Sequence, residues 1–456
     1  MRIQKEKARE AHKSREGSAW EKDLFANTDK NVKTEFVGYT KYTEDGTVLF
    51  IIMNNELTDS AQQDDEVTIV LDKTPFYAES GGQAGDTGTI YNQNFRMSVR
   101  DCKKTADGKQ LHIGRVIEGA VQVGDKVTAS IDAVKRKATA RNHTTTHLLH
   151  KALKNVLGDH VNQAGSFVNH ERLRFDFTHF SAMTREQIEA VENEVNAKIL
   201  ENLSVRTEEM SIDDARKSGA TALFDEKYGD LVRVVSAGDY SKELCGGTHL
   251  GSTGEAGLIK IVSENGISAG VRRIEALTGF NAISYYKEKE SILKQASEAA
   301  KSSVDDIVSK IENLYDEIKA AKKELEEINA KMVNSSLNSV IENALVVKEK
   351  KIVAARLDGL DMNALRNASD TLKNKIGSGV VILASAKDDK VNLIVSATKD
   401  AVDSGIHSGN IIREAAQACG GGGGGRPDMA QAGGKDPSGI DKALEIAREK
   451  AASMLG

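Results

Sequence analysis

The sequence predicts an α+β chain of several domains: a small β-barrel, an α+β core, a helical coiled-coil hairpin and a small C-terminal α/β domain. Three observations carry that prediction. Residues 32–134 string together short apolar, β-branched runs cut by turn residues, residues 281–345 hold a heptad seam, and residues 346–456 alternate strands with helices.

The barrel is read from runs such as Val48-Leu49-Phe50-Ile51-Ile52 and Val67-Thr68-Ile69-Val70-Leu71, separated by Asp-Gly, Asn-Asn and Asp-Asp pairs. Many short strands within a hundred or so residues suggest closure into a barrel. The core, residues 135–280, opens with a helix expected from about 133 to 157. It carries Ala138, Leu148, Leu149, Leu153 and Leu157, with Gly158 placed as its C-cap. Leu173-Arg174-Phe175-Asp176-Phe177 alternates as a strand with one buried face, and a second helix at about 184–202 repeats Ile188, Val191, Val195 and Ile199. Further strands are expected near 231–235, 257–262 and 271–277.

Val304, Ile307, Ile311, Leu314, Ile318, Ala321, Leu325, Ile328 and Met332 are spaced alternately by three and four residues, the seam of a coiled coil or antiparallel hairpin. The spacing leaves intramolecular and intermolecular pairing open. In the last domain, residues 351–355, 380–384 and 391–395 read as buried strands, with helices at about 363–374, 408–418 and 438–454. Between them Cys419 is followed by six glycines and Arg426. A flexible linker is the plain reading of that run, which lacks the Lys-Ser/Thr of a phosphate-binding P-loop.

Composition excludes several classes of function. Sixty-two Lys and Arg against 68 Asp and Glu give a net charge of -6, which rules out a globally basic nucleic-acid coat but not a local basic patch. Three cysteines in 456 residues cannot staple a secreted scaffold and fit a reducing, cytoplasmic setting. No apolar run approaches the roughly 20 residues of a membrane span. Residues 1–31 open without an apolar signal segment and mix acids with bases on good helix formers, as a solvated helix does.

The sharpest chemical signal is His143-Thr-Thr-Thr-His147. Imidazoles four residues apart share a helix face and can share a metal. Thr144 stands where a zinc protease would need Glu, so that class is disfavoured. About a hundred residues later, Cys245-Gly-Gly-Thr-His249 offers a thiolate and a third imidazole, and the four together would suit Zn²⁺. The alternative is a set of unrelated polar side chains, and His150 lies on nearly the same helix face. Glu79-Ser-Gly-Gly-Gln-Ala-Gly-Asp-Thr-Gly88 offers either a hydrogen-bonding pocket or a tight turn. Lys135, Arg136 and Arg141 lead into His143 and would place positive charge for a polyanion beside the metal, unless they are only a solvated helix start. His112-Ile-Gly-Arg115 lacks the final His of the class I synthetase tetrapeptide and is discounted.

Taken together, the His143–His147, Cys245–His249, Arg174-Phe-Asp-Phe177 and Glu79–Gly88 motifs resemble alanyl-tRNA synthetase, specifically its editing domain. Gly422-Gly-Gly-Gly-Arg-Pro-Asp-Met-Ala-Gln-Ala-Gly-Gly434 resembles that family's C-terminal domain, which is related to the accessory domain of DHH phosphoesterases. The match follows the family's order over nearly the whole chain. It implies hydrolysis of the ester that joins serine or glycine wrongly to tRNA(Ala), as freestanding deacylases of the superfamily perform. It further implies one Zn²⁺ held by His143, His147, Cys245 and His249, a pocket glutamine at Gln163, and Thr87 as reader of the serine hydroxyl. Thr145 stands where the motif often has Ala. The C-terminal domain would hold the tRNA, with Arg426 and the glycine-rich loop on phosphate or sugar.

By the same resemblance, residues 1–31 look like the end of a helical tRNA-binding region. The aminoacylation core, which uses ATP and Mg²⁺, is expected to precede this stretch in the parent enzyme and to be absent here. Two other readings stand beside this one: a non-catalytic tRNA-binding or oligomerisation module with structural zinc, homodimeric through 281–345 or the C-terminal domain, and a metal-dependent hydrolase of small molecules.

Overall fold

The computed structural model describes residues 32–221, 230–387 and 389–456. The helix expected over residues 1–31 lies outside them. The chain divides into two compact units, Met1–Lys294 and Gln295–Gly456.

In the first unit, six antiparallel strands close a barrel: β1 (Thr43–Met53), β2 (Glu66–Leu71), β3 (Gly88–Tyr91), β4 (Phe95–Lys104), β5 (Gln110–Gln122) and β6 (Lys126–Ile131). They run in the order β6-β3-β4-β5-β2-β1, and β6 pairs again with β1. The alternation that defines a strand is visible in β4, where Phe95, Met97 and Val99 point inward and Arg96, Ser98 and Arg100 outward. Ile51, Ile69, Leu71, Ile90 and Val116 complete the barrel core. His112 belongs to this fold, not to a nucleotide site. Its ring is buried, with Nδ1 2.8 Å from the Ile69 carbonyl and Nε2 2.7 Å from the Thr74 hydroxyl, and burial lowers its pKa to about 4.

Helix α1 (Ala133–Leu157) starts where the barrel ends. Asp132 caps it by accepting from the amides of Val134 and Lys135, and Gly158 closes it at φ 114°. One turn in, Arg136 is buried. Its guanidinium binds the Asp86 carboxylate and donates to the carbonyls of Gly38 and Pro75, at 2.6 and 2.8 Å. The expectation that Arg136 faces a polyanion is therefore corrected: all three nitrogens of its buried guanidinium donate inside the protein, tying α1 to the barrel wall.

Past α1, strands β7 (Gln163–Val168) and β8 (Leu173–Thr178) join β12 (Ile259–Ser268) and β13 (Val271–Thr278) in an antiparallel sheet of order β7-β8-β13-β12. Helix α2 (Arg185–Leu200) begins with a capping box between Thr184 and Gln187. Leu148, Leu149 and Leu153 of α1 and Val191, Val195 and Ile199 of α2 bury with Phe175, Phe177 and Ile274 of the sheet. Each such side chain contributes about 1.5–3 kcal/mol. A three-stranded sheet of β9 (Val205–Ser211), β10 (Leu231–Ala237) and β11 (Ser241–Leu244) delivers the chain to Cys245. Short helix α3 (Ile212–Lys217) packs on it through Ala215.

Helix α4 (Gly279–Ala300) leads into the second unit, where α5 (Ile307–Glu342) carries the heptad seam. Ile307 is buried, whereas Ile311, Ile318, Leu325 and Ile328 remain exposed. The helix expected from the spacing is there, with its apolar stripe turned to solvent.

The C-terminal sheet has the order β14-β15-β16-β17-β19-β18, built from Leu345–Val347, Lys350–Arg356, Gly379–Lys387, Lys390–Ala397, Met429–Gly434 and Gly422–Gly425 (β14 to β17, then β19 and β18). Only β15 and β16 are parallel. Ile382, Val395 and Val380 face helices α8 (Ser408–Gln417) and α9 (Ile440–Leu455), after the short α7 (Lys399–Asp403). Val381, Leu383 and Ile394 face α6 (Met362–Ile376). Both faces are covered, which is why these strands are continuously apolar. The glycine run is not a linker. Gly422–Gly425 is the exposed edge strand β18, and glycine is required at its alternate positions Gly423 and Gly425, where a Cβ would collide with Ala432 and Ala430 of β19.

Truncating Arg136 to Ala should cost about 3–5 kcal/mol in urea unfolding, because it leaves Asp86 buried and unpaired. Lys137→Ala, at an exposed position, should shift stability by less than about 0.5 kcal/mol. Unchanged stability of the Arg136 variant, with weaker polyanion binding, would contradict the internal role.

Candidate metal centre

Two elements build the site. Helix α1 presents His143 and His147 one turn apart, with ring centroids 5.4 Å apart and stacked at 11°. The loop after β11 presents Cys245 and His249. One donor atom from each of these four residues lies within 4.8 Å of all the others, a group that could hold a metal ion. The Cys245 Sγ lies 3.3 Å from Nε2 of His143 and 3.3 Å from Nε2 of His249. Nε2 of His147 is buried in the same group and has no hydrogen-bond partner.

Each imidazole turns its other nitrogen to a fixed oxygen. His143 Nδ1 is 2.8 Å from Gln83 Oε1, His147 Nδ1 is 2.6 Å from Glu243 Oε2, and His249 Nδ1 is 3.2 Å from the Thr144 hydroxyl. An oxygen that accepts from Nδ1 leaves Nε2 as the nitrogen that can bind a metal, which is the arrangement of metal-bound histidines. Gln83 is itself held: its Oε1 accepts from the Thr248 amide at 2.9 Å and its Nε2 donates to the Thr248 hydroxyl at 2.9 Å. Gln83 and Glu243 are thus the functional residues the motifs do not name. Gln83 lies inside the Glu79–Gly88 stretch, whose polar residues signal a pocket. Glu243 has no signal beyond standing two residues before Cys245.

The loop that carries Cys245 is clamped from two sides. Tyr39, from the segment before β1, donates its hydroxyl to the Gly246 carbonyl at 2.7 Å. Arg233 of β10 stacks on the Tyr39 ring, 4.0 Å from its centroid, and donates to the carbonyls of Gly247 at 2.5 Å and Cys245 at 3.3 Å. Gly247 passes so close to the His143 ring that a Cβ there would overlap it, while a Cβ at Gly246 would meet nothing.

Electrostatics favour a cation among the donors. Burial alone would raise the Cys245 thiol, but His143, then His249 and His147, outweigh it and hold the thiol well below its ordinary value. Burial likewise opposes ionisation of Glu243, yet His147 lowers its carboxyl to about 2. Two buried anions result. The offsetting charge falls on His147, which Glu243 and then Cys245 raise to about 10 against the cost of burial. Burial lowers His249 to about 3. A metal ion placed among Sγ and the three Nε2 atoms would take over the charge that the His147 proton supplies.

The other anticipated residues are more scattered. Thr87 precedes β3; its hydroxyl is buried without a hydrogen-bond partner and lines a groove of about 330 Å³ with Ser98, Ser130 and Lys135. Gln163 opens β7 opposite Phe177, half-buried. Neither side chain hydrogen-bonds to the quartet. Lys135 is half exposed, 4.0 Å from the Asp132 carboxylate, and Arg141 donates to the Glu255 carbonyl at 3.0 Å. Arg426 is exposed beside Asp428 in the second unit. His150 stays outside the quartet and bonds Glu243, and Thr145 is buried with an unpartnered hydroxyl.

Comparison with known proteins gives three family matches. The family described as tRNA synthetases class II (A) matches residues 1–135, the threonyl and alanyl tRNA synthetase second additional domain matches residues 232–275, and the DHHA1 domain matches residues 349–453. Across the chain, the alanine–tRNA ligase of Acetivibrio thermocellus is 58% identical over 448 residues, 98% of this chain and 51% of that protein. The chain belongs to the alanyl-tRNA synthetase family. It corresponds to the family's C-terminal portion. The alanine–tRNA ligases of Alkaliphilus oremlandii and Clostridioides difficile are 47% and 48% identical, over 100% and 98% of this chain and 52% and 51% of their own lengths. The chain therefore spans about half the length of the curated relatives it matches. The threonyl and alanyl synthetase match includes Glu243, Cys245 and His249, so the loop half of the quartet lies within the family's own domain.

Gly247→Ala should abolish Co²⁺ binding detected by thiolate-to-metal absorption, since His143 cannot retreat from Gln83. Gly246→Ala should bind as the unaltered chain does. Equal binding by both variants would show that the loop's approach to His143 does not set the site.

Proposed function

We propose that this chain is the editing part of an alanine–tRNA ligase, hydrolysing the aminoacyl ester of Ser-tRNA(Ala) and Gly-tRNA(Ala) at a zinc-containing site. The observation that carries the proposal is the quartet itself: one cysteine sulfur and three imidazoles converging in a chain of this family. That donor set suits Zn²⁺. The lone Nε2 of His147, buried and without a partner, is the atom most in need of such an ion.

When bound, zinc supplies positive charge and a rigid joint between α1 and the Cys245 loop. With four protein donors, each fixed by its own partner, the site suits a closed structural role that shapes the pocket for the tRNA terminus. The ester is already activated, so holding it beside a water supplies much of what hydrolysis needs. Selection is the harder task. An alanine pocket discriminates weakly against one added hydroxyl, so a second site must recognise that hydroxyl. Thr87 is suited to this, because its buried hydroxyl lacks a partner and a seryl group would provide one. With alanine the hydroxyl stays unpaired, at a cost of about 1–3 kcal/mol. By resemblance to the family, Gln163 would be a pocket glutamine, although it does not line the Thr87 groove.

The rest of the chain extends this reading. Lys135, Arg141 and Arg426, with the glycine strand Gly422–Gly425, would contact tRNA(Ala). The stretches 32–134, 135–280, 281–345 and 346–456 would be barrel, zinc-containing core, helical spacer and tRNA-holding domain. Its protein partner would be the aminoacylation core of the parent synthetase, which uses ATP, in the cytoplasm. The exposed stripe of α5 suits a homodimer or a hairpin.

The test is single-turnover hydrolysis of Ser-tRNA(Ala), with Ala-tRNA(Ala) in parallel. The expected result is rapid loss of serine with alanine spared, and Thr87→Val should reduce the preference for serine by about tenfold. No hydrolysis by a chain that still binds tRNA and zinc would favour the non-catalytic docking module instead.

A further inference from the structure

We infer that Glu243 and His150 are a positioning pair that locks His147 in its metal-binding tautomer and orientation, an inference that rests on the metal reading of the quartet. His150 is three residues beyond His147 on α1, so both rings face the same carboxylate. Glu243 is buried in β11, with Oε2 2.6 Å from His147 Nδ1 and Oε1 2.9 Å from His150 Nδ1. With a ring nitrogen at hydrogen-bond distance from each of its oxygens, the carboxylate accepts from Nδ1 of both imidazoles. That choice leaves Nε2 of His147, buried and without a hydrogen-bond partner, as the nitrogen at which a metal can replace a proton, while Nε2 of His150 lies outside the quartet.

The second histidine is what makes the first one rigid. With one donor, a buried carboxylate can rotate about its last bond and carry the His147 ring with it. With both oxygens taken, its plane is fixed by two points on the same helix. His150 is fixed in turn by burial, its ring 5.3 Å from that of Phe175 in β8. The sheet beneath α1 is thereby connected to the ligand through Phe175, His150 and Glu243. Without His150, Oε1 would be a buried oxygen without a partner. His150 touches none of the four donors and acts only through Glu243.

The experiment uses the full chain loaded with Zn²⁺ and follows metal loss to a chelator, with the visible spectrum of the Co²⁺ form as a second readout. His150→Leu keeps the bulk and removes the donor. His150→Asn places an amide nitrogen where Nδ1 stood. The leucine variant should lose zinc at least about tenfold faster and show a shifted Co²⁺ spectrum, whereas the asparagine variant should stay within about twofold of the unaltered chain. Glu243→Gln, which can accept from only one of the two rings, should also lose zinc about tenfold faster and serves if the leucine variant does not fold. Equal behaviour of leucine and asparagine variants, or zinc retention unchanged in both His150→Leu and Glu243→Gln, would overturn the positioning role. Failure of the unaltered chain to hold zinc or Co²⁺ would instead overturn the metal reading beneath it.

Discussion

A thiolate buried among three imidazoles is the constraint on which the rest of the first unit depends. Cys245 lies at the end of a strand, His143 and His147 lie on a helix about a hundred residues earlier, and their donor atoms must meet within a few ångströms. Buried charge is tolerated only when every group around it is satisfied. The surrounding side chains meet that demand one by one. Gln83 reaches in from the segment before the barrel's third strand, Thr144 from α1 itself, and Glu243 from β11.

This arrangement explains why barrel and core share one unit. The barrel contributes through its connecting segments: Gln83 holds His143, Tyr39 holds the Cys245 loop, and Asp86 holds Arg136 at the start of α1. The helix is therefore anchored at one end by a buried ion pair and along its length by Leu148, Leu149 and Leu153 on the sheet. Its histidines are fixed by both. A rigid scaffold with polar fixtures is what the proposed editing site would need, since its selectivity would turn on a single hydroxyl.

Much of this was legible in the residues. The periodicities gave the helices of the core within a residue or two, because Ile188, Val191, Val195 and Ile199 repeat at helical spacing and Asp132, Gly158 and Thr184 are strong end signals. The grouping of His143, His147, Cys245 and His249 was legible because two pairs of ligand-type residues at short spacing are less easily coincidence than one. Its support was not. Glu243 and His150 become partners only when β11 crosses α1, and no local pattern encodes that crossing. Arg136 misled for the same reason: beside Lys135 and Lys137 it looks like surface charge, and only closure of the barrel encloses it. The glycine run misled because its meaning lies in the close approach of β19, outside the run. The heptad seam predicted the helix Ile307–Glu342, since spacing reports the helix face but not what covers it.

On the proposed reading, one metal ion belongs in the quartet with a single sulfur and three nitrogen donors. X-ray absorption at the zinc edge, combined with metal analysis of the full chain, is the decisive measurement. The expected result is one zinc per chain, bound by one sulfur and three imidazole nitrogens, with the sulfur lost in Cys245→Ala. A chain purified and refilled in excess Zn²⁺ that holds much less than one equivalent, or a zinc shell without sulfur, would contradict it.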